Sequence, residues 1–481
     1  MESVRNDKHL VEACLAILAT TVLVYFGNGL EPLWPLMWFA TLPILWFSLR
    51  SNSWTAAAAA IVAMLLGSLN LWSYFTQTLS LPGVAWAGLF LTASIAFAAA
   101  VVLFRALVLR GAVWSALLAP PALWVTYEYL RNVTSPHGSA GSLAYSQLKF
   151  LPVLQLASIT GPWGISFLLL LFSTALALGL YSQRTSPKLA LRVVGAGAGA
   201  VAAALVFGAV RLAIPQNQMV KVGLLASDEK GNGEVTSPGP DTERLFGDYA
   251  RQADVLAQNG AQVIVMPEKL GVTLEGQASA TDAILQSVAT RAHTTVIAGV
   301  VHVDPPAKYN EARIYVPGSG IQRYDKEHML PPFESNLTPG SALVLLPRGR
   351  QTWGVAICKD MDFASPARRY GEAGTGLLLV PGWDFAVDAS WHGHIAIMRG
   401  VEDGFSIARA AKGGFLTVSD NRGHVLAEVS SGSAPFAALL VDVPTEHSAT
   451  IYEYLGDWFA WVAIGLVVFA VVQLARQRGA S

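Results

Sequence analysis

The stretch VAICKDMDF, residues 355–363, places a cysteine where an apolar, strand-like run gives way abruptly to charge. Cys358 is one of only 2 cysteines in 481 residues, and Lys359 and Asp360 follow it directly. The thiolate is the reactive form of cysteine, and nearby positive charge lowers a thiol pKa. The pattern therefore indicates a nucleophile. A buried structural cysteine, which is common and inert, is the alternative that this stretch alone leaves open.

The overall composition is that of a membrane protein. Hydrophobic residues make up 53% of the chain and charged residues 14%, with a mean hydropathy of +0.44. Soluble domains carry roughly 25% charged residues. The net charge of −1 gives no electrostatic argument for binding nucleic acid, so no nucleic-acid partner is expected.

Long apolar stretches fill the first 215 residues, and one more lies near the C-terminus. A span needs about 20 apolar residues to cross roughly 30 Å of hydrocarbon. The pattern predicts a polytopic α-helical membrane protein with about eight spans. We expect a transmembrane domain with seven spans at residues 1–215, and a last span with its tail at residues 456–481. The stretches are residues 10–26, 33–49, 54–72, 84–109, 113–130, 151–181, 189–214 and 458–474.

The basic residues beside these stretches predict how the spans are oriented. Lys and Arg are enriched in cytoplasmic loops, and here they flank alternate ends of the spans, with Arg131 and Lys149 as exceptions. Both termini are therefore expected in the cytoplasm, which places residues 216–450 on the outer side. In a bacterium with two membranes, this predicts a multi-pass inner-membrane protein with a periplasmic domain. The basic residues that carry the argument are Arg5, Lys8, Arg50, Arg110, Arg184, Lys188, Arg192, Arg476 and Arg478.

Residues 216–450 have the pattern of a separate α/β domain. Short apolar runs, typical of strands, first alternate with segments of helical spacing and then occur in pairs. This order predicts an α/β sandwich with sheets inside and helices outside. Residues 392–411 are predicted to form one long helix.

The motifs of common cofactor sites are missing from this sequence. No GxGxxG follows a predicted strand and there is no Walker A string, so no nucleotide cofactor is expected. Cysteines and histidines do not cluster with the spacing of a zinc site. His392 and His394 lack an evident third ligand, so no metal is expected either.

Two charged residues share the setting of Cys358, at or just beyond the end of a predicted strand. Glu268 follows the run VIVMP, and Lys326 lies in the string YDKEH. Strand ends in α/β sheets collect catalytic groups in a shared crevice. Glu268 could take the thiol proton, while Lys326 and the backbone N–H after Cys358 could stabilise the oxyanion of an attacked carbonyl. An ordinary ion pair between Glu268 and Lys326 is the alternative.

The order and context of these residues resemble the nitrilase, or carbon–nitrogen hydrolase, superfamily. The matching motifs are Pro-Glu after a strand, Tyr-x-Lys-x-His followed by Pro-Phe-Glu, and Ile-Cys-x-Asp. The resemblance implies a nitrilase-like αββα sandwich. It also implies a triad of Glu268 as general base, Lys326 for oxyanion stabilisation and Cys358 as nucleophile. Glu334 stands at the position of a second, supporting glutamate, with a surface glutamate on a loop as the alternative.

A nitrilase-like domain between seven N-terminal spans and one C-terminal span resembles, more narrowly, the apolipoprotein N-acyltransferase family. That resemblance implies a phospholipid acyl donor, a thioester on Cys358, and the N-terminal amine of a diacylglyceryl-cysteine lipoprotein as acceptor. The chain departs from the family at Lys359 and Asp360, where Tyr-Glu commonly follows the cysteine. Residues 226–232 keep only a trace of the family's loop after the first strand.

Other functions stay open at this level. A membrane-tethered amidase of the nitrilase type would hydrolyse a small amide, and an acyltransferase could use a different amine. A polytopic scaffold or transporter with a degenerate domain would not need the triad. Few charges interrupt the spans, which argues against a transport pathway. Arg105, Glu128 and Arg131 lie near predicted span ends, where charged side chains are expected to reach the interface.

Overall fold

The computed structural model describes residues 2–229, 235–276 and 278–479. The chain divides into two compact units. The helical unit comprises Met1–Thr134, Gly141–Leu212 and Leu455–Ser481, and the α/β unit comprises Ser135–Ala140 and Ala213–Tyr454. Residues 230–232, in the loop predicted to depart from the family, lie outside the described residues.

The helical unit contains apolar helices of membrane-spanning length. Within the described residues, six helices are long and apolar enough to cross a membrane, which confirms a polytopic helical membrane protein. These six segments are His9–Gly27, Ser53–Leu71, Gly83–Leu109, Pro162–Ser182, Pro187–Leu212 and Trp458–Gln477. The helices of the unit span Glu2–Gly27, Trp34–Met37, Leu42–Ser48, Ser53–Gly67, Gly83–Leu109, Val113–Thr134, Leu151–Leu154, Ala157–Thr160, Pro162–Ser182, Pro187–Leu212 and Trp458–Gly479, with single 3₁₀ or π turns at Ser68–Leu71, Tyr74–Thr78 and Leu143–Gln147.

Two of the predicted spans are broken into shorter helices, and a third is one helix that contains prolines. Residues 33–49 form two short helices, each with a proline in its first turn, because proline starts a helix more readily than it continues one. Residues 151–181 break at Gly161, whose φ is 62°, and a proline follows. Val113–Thr134 is one helix with two internal prolines and is not among the six. The count of eight spans stays a prediction.

Glu128 is buried inside the helical unit, so the prediction that it reaches an interface is wrong. Its carboxylate accepts hydrogen bonds from the indole N–H of Trp124 at 3.0 Å and the hydroxyl of Ser142 at 3.0 Å. The backbone N–H of Leu143 donates a third at 2.7 Å. A buried carboxylate is tolerated where donors replace its water, and these three do so.

The α/β unit contains two mixed sheets. The strands are β1 Met219–Ala226, β2 Val263–Val265, β3 Gly271–Leu274, β4 Thr295–Asp304, β5 Ala307–Tyr315, β6 Gln322–Asp325, β7 Leu345–Arg348, β8 Gln351–Val355, β9 Leu377–Trp383, β10 Ser406–Lys412, β11 Phe415–Ser419, β12 Val425–Ser430 and β13 Ala437–Pro444. The first sheet has the order β13-β1-β2-β4-β5-β6, with β3 paired to β4, and the second has the order β12-β11-β10-β9-β8-β7. The inner strands β1, β2 and β4 are parallel, as are β8, β9 and β10.

Helices cover the outer faces of both sheets. Val222 of β1 and Val355 of β8 belong to one buried apolar cluster between the sheets. Pro240–Gln258 and Ser279–Ala292 bury their apolar faces in a second cluster, against the first sheet. Ala389–Asp403 packs on β10 and β11 of the second sheet. The layers confirm the expected αββα sandwich. The remaining helices are Ala364–Glu372 and Ile451–Leu455.

The long helix predicted at residues 392–411 is wrong in its second half. The helix Ala389–Asp403 ends at Gly404, which adopts the left-handed φ of 73° that commonly terminates helices. The chain then continues as β10, which is buried along its whole length between β9 and β11. This central place in the sheet outweighs the helix propensity of the alanine and arginine residues in β10.

Candidate active site

Cys358 lies three residues after the end of β8, at the start of a single 3₁₀ turn, Cys358–Asp362. Its φ of 44° falls in the left-handed region that residues other than glycine rarely adopt. Such a backbone costs about 1–2 kcal/mol, so it persists only where neighbouring contacts hold it. The thiol donates a hydrogen bond to the carbonyl oxygen of Trp383, at the end of β9, over 3.5 Å. The turn thus aims the sulfur at the edge where the parallel strands of the second sheet end.

Asp360 holds one side of this turn. Its buried carboxylate accepts the backbone N–H of Ile357 at 3.0 Å and the phenol of Tyr324 at 2.8 Å. The two backbone N–H groups that follow Lys326 donate to the same carboxylate at 3.1 and 2.9 Å. The cysteine turn and the segment that carries Lys326 are therefore fixed to each other through one side chain.

Glu268, Lys326 and Glu334 meet in a buried ion-pair cluster. The Lys326 ammonium donates to Oε1 of Glu268 and to Oε2 of Glu334, both at 2.8 Å. Lys269, the neighbour of Glu268, donates to Oε1 of Glu334 at 2.9 Å. All three cluster residues are almost fully buried. Glu334 is therefore not a surface glutamate. Glu268 and Lys326 do form an ion pair, and Glu334 and Lys269 extend it into a larger cluster.

Asn310 completes the cluster and was missed in the sequence. Its side-chain amide donates to Oε1 of Glu268 at 2.5 Å and to Oε1 of Glu334 at 2.8 Å. The residue lies inside β5, which begins at Ala307. A polar residue within a strand pattern gives little sign of function.

The cluster changes the acid–base properties of its members. Part of Cys358 remains exposed, yet burial raises the pKa of its thiol, Glu268 adds to the rise, and Lys326 opposes it. Burial alone would lower the pKa of Lys326, but the negative charge around it, that of Glu268 above all, holds it well above its usual value. Burial alone would raise the pKa of Glu334, but Lys326 and Lys269 lower it to about 2. The result is a neutral thiol next to a firmly held ammonium.

Apolar side chains are exposed on the segments that carry the site. Trp383, whose carbonyl accepts the thiol hydrogen bond, is partly exposed. Phe333, next to Glu334 in the chain, is 48% exposed and packs against Phe385 with ring centroids 5.3 Å apart. Val387, four residues after Trp383, is 54% exposed. Exposed apolar groups of this kind suit an apolar ligand.

The two histidines of the long helix serve different contacts. His392 lies 3.6 Å from Asp362 and 3.2 Å from Asp388, while His394 reaches the hydroxyl of Ser390 at 3.5 Å. Among the described residues, no group of three or more His, Cys, Asp or Glu side chains is arranged to hold a metal ion.

Comparison with known proteins gives matches across both units. The family model for the apolipoprotein N-acyltransferase N-terminal domain matches residues 20–175, and the carbon–nitrogen hydrolase model matches residues 217–451. Among solved structures, an amidase from Nesterenkonia sp. is 20% identical, with a TM-score of 0.41, and the match covers 49% of this chain and 94% of the amidase. Together, the sandwich and the two matched family models define an acyltransferase built on the carbon–nitrogen hydrolase fold.

Relatives match nearly the whole chain. An apolipoprotein N-acyltransferase of Geobacter metallireducens is 26% identical, and the match covers 92% of each chain. One from Shewanella oneidensis is 27% identical over 82% of this chain and 85% of its own length. The chain belongs to the apolipoprotein N-acyltransferase family.

Proposed function

We propose that this chain transfers an acyl group from a membrane phospholipid, through a thioester on Cys358, to the N-terminal amine of diacylglyceryl-cysteine lipoproteins. The observation that carries the proposal is the presence, in one chain, of a buried Glu268–Lys326 pair acting on a cysteine and, within the described residues, of six helices able to cross a membrane. A hydrolase of small soluble amides would not need such helices. The names of the relatives support the same reaction.

The first half-reaction would form the thioester. Because burial keeps the Cys358 thiol neutral, a base has to remove its proton, and we assign that role to Glu268. The sulfur attacks the ester carbonyl of the phospholipid, and the oxyanion meets Lys326 and the backbone N–H of Lys359. The tetrahedral intermediate collapses by breaking the ester C–O bond. The proton held by Glu268 passes to the departing lysophospholipid.

The second half-reaction would consume the thioester. The lipoprotein amine attacks the thioester carbonyl, and Glu268 accepts a proton from the nitrogen. The C–S bond then breaks, Cys358 recovers its proton, and an amide is formed. Splitting the transfer into two steps lets one set of groups serve both donor and acceptor. Lys326 has three N–H donors, of which Glu268 and Glu334 take two, so the third is the one that we assign to the oxyanion.

The exposed apolar side chains on the segments that carry Glu334 and Trp383 favour a lipid over a small polar amide. Phe333 and Val387 leave about half of their surface exposed, and Trp383 also contributes apolar area. Burying an acyl chain against such groups contributes about 0.8 kcal/mol per CH₂. The same contact keeps water from the thioester, which separates transfer from hydrolysis.

We infer that the protein lies in the bacterial inner membrane, with both termini in the cytoplasm and the α/β unit in the periplasm. The distribution of Lys and Arg beside the apolar stretches supports this orientation. Reporter fusions to the C-terminus and to residues of the α/β unit would test it. A cytoplasmic signal from the α/β unit would overturn the assignment.

The reaction is tested with the purified chain, a phospholipid and a synthetic diacylated lipopeptide. We expect mass spectrometry to detect an acyl adduct on Cys358 with phospholipid alone, and N-acylated lipopeptide once the acceptor is added. Cys358→Ala should abolish both products. Cys14→Ser is the matched control and should retain both, since Cys14 lies in a different unit.

Two outcomes would redirect the assignment. Release of free fatty acid at the same rate with and without lipopeptide, or of ammonia from a small amide, would indicate a membrane-bound hydrolase. Full acylation by Cys358→Ala would exclude the thioester route.

A further inference from the structure

A short segment of the chain touches the cysteine turn at Lys359 and Asp362. Ser135–Ala140 lies between two helices of the helical unit in sequence, but it groups with the α/β unit. Lys359, directly after the nucleophile, is only 3% exposed and turns toward this segment. Its ammonium lies 3.1 Å from Nδ1 of His137 and donates to Oδ2 of Asp362 at 3.2 Å. Lys359 therefore binds inside the protein instead of lining a lipid-facing surface.

The segment also binds the far end of the cysteine turn. The backbone N–H and the hydroxyl of Ser139 both donate to the carbonyl oxygen of Asp362, at 3.0 and 2.9 Å. Gly138 has a φ of 51°, and a Cβ added there would lie 2.5 Å from the same oxygen. The contact is therefore close enough to require glycine at this position. Both ends of the turn, at Lys359 and at Asp362, are held by the same six residues.

The charges around this contact are matched. Burial opposes ionisation of Asp362, but Lys359 and then His392 hold the pKa of Asp362 below its usual value. Burial alone would lower the pKa of His392, but hydrogen bonds to Asp362 and then Asp388 raise it to about 10. The cations Lys359 and His392 thus face the carboxylates of Asp362 and Asp388. Nδ1 of His137 accepts a hydrogen bond from Lys359, which it can do only while this nitrogen carries no proton. Such a fully partnered buried network gives a turn a single defined arrangement.

We propose that Ser135–Ala140 is a positioning element of the catalytic centre, acting on Cys358 through Lys359 and Asp362. The left-handed φ of Cys358 has to be held by neighbouring contacts, and Asp360 ties the turn to the segment that follows Lys326. The His137–Lys359 and Ser139–Asp362 contacts tie the same turn to Ser135–Ala140. This proposal rests on the proposed role of Cys358 as nucleophile, and His137 is a positioning residue because it acts through Lys359.

The test measures the rate at which iodoacetamide alkylates Cys358 in the full-length Cys14→Ser chain, followed by mass spectrometry. The reagent is neutral and needs no lipid, so the result is independent of which acyl donor or acceptor the enzyme uses. We expect His137→Ala to slow alkylation about fivefold, the effect of losing one hydrogen bond, and Lys359→Met to slow it at least as much because the bond to Asp362 is lost as well. The double variant should be no slower than Lys359→Met alone, because His137 acts through Lys359.

Rescue and stability measurements separate positioning from a general structural defect. His137→Asn places an oxygen acceptor near the position of Nδ1 and should restore the rate, with an unchanged thermal midpoint. His424→Ala removes a histidine–aspartate contact on the turn between β11 and β12 and is the matched control. Should Lys359→Met not fold, Ser139→Ala removes one bond to Asp362 and should also slow alkylation. An unchanged alkylation rate in His137→Ala would overturn the proposal. So would a double variant that is slowed by the product of the two single effects.

Discussion

Asn310 donates its side-chain amide to Oε1 of Glu268 over 2.5 Å, from the middle of β5. The same amide reaches Glu334 at 2.8 Å, so one side chain orients both carboxylates of the cluster. Lys326 supplies the positive charge between them and bonds Oε1 of Glu268 and Oε2 of Glu334. The direction in which the proposed base points therefore depends on an uncharged residue from β5 as well as on Lys326.

Replacing this amide should impair the chemical step. Asn310→Ala is expected to slow formation of the acyl enzyme by about tenfold or more, because hydrogen bonds to charged groups contribute about 1.5–3 kcal/mol. The KM for phospholipid should change little, since Asn310 is not part of the apolar surface. Single-turnover mass spectrometry of Cys358 with phospholipid measures the effect. Asn259→Ala, at an exposed helix end, is the control, and a raised KM at an unchanged rate would contradict the prediction.

The raised pKa of Cys358 predicts how its reactivity depends on pH. A raised pKa keeps the thiol protonated at pH values where an ordinary cysteine ionises. Direct alkylation should therefore keep rising with pH, without a plateau below about pH 9. Glu268→Gln removes a charge that helps to raise the thiol pKa, so alkylation should begin to rise at a lower pH. Acyl-enzyme formation from phospholipid should fall in the same variant, because the proposed base is lost. Iodoacetamide trapping in the Cys14→Ser chain over a series of pH values provides the measurement. A plateau near neutral pH would show a thiolate stabilised in the resting enzyme.

The ionisation of Glu334 makes the stability of the protein depend on pH. Its pKa is lowered to about 2 in the fold, so its ionised form stabilises the protein above the unfolded value of about 4.3, and this contribution is lost as pH falls from about 5 toward 2. The shift corresponds to roughly 3 kcal/mol at most. We therefore expect Glu334→Gln to be less stable than the parent at neutral pH, with a difference that shrinks across that acidic window.

Thermal unfolding at several pH values measures this difference. Glu372→Gln is the matched control, since Glu372 forms an exposed pair with Arg368 and should show no such convergence. A constant difference between Glu334→Gln and the parent from neutral to acid pH would mean that the ionisation of Glu334 is not what stabilises the cluster.

The sequence was sufficient to predict the residues at strand ends. Glu268 and Cys358 each follow an apolar run, and Lys326 comes directly after β6. Strand ends of α/β sheets collect functional side chains, which is why the three could be considered together. The αββα order followed from the same pattern. The helix at residues 392–411 was mispredicted because β10 is rich in alanine and buried on all sides, so it lacks the alternation that identifies a strand.

Contacts between distant segments could not be predicted in this way. His137 and Lys359 are 222 residues apart, and no local pattern in the segment SPHGSA indicates that it would lie against the cysteine turn. Lys359 looked unusual beside a nucleophile, but its partner became evident only in the structure. Glu128 likewise looked like an interfacial residue until its donors, Ser142 and Leu143, were placed beside it.

Gly138 gives a steric test of the contact between Ser135–Ala140 and the cysteine turn. Gly138→Ala adds a methyl group 2.5 Å from the carbonyl oxygen of Asp362, in addition to the cost of alanine at a φ of 51°. Gly318→Ala is the matched control, because its φ is 68° and nothing lies within 4 Å of an added Cβ. Both should lose about 1 kcal/mol of stability from the backbone alone. Only Gly138→Ala should also slow acyl-enzyme formation, and equal activity in the two variants would contradict this.

Asp403 should be replaceable with a gain in stability. It is fully buried at the end of Ala389–Asp403, and neither carboxylate oxygen has a hydrogen-bond partner among the described residues. Burial, and then the charge of Glu402, raise the pKa of Asp403 well above its usual value. A raised folded pKa means that stability is lost as pH rises above the unfolded value of about 3.9.

Asp403→Asn should therefore raise the free energy of unfolding by about 1–2 kcal/mol at neutral pH, with a smaller gain near pH 4. Thermal unfolding against pH, with the exposed Asp241→Asn as control, measures the gain, and a gain that grows as pH falls would show that the charged form of Asp403 is the stable one.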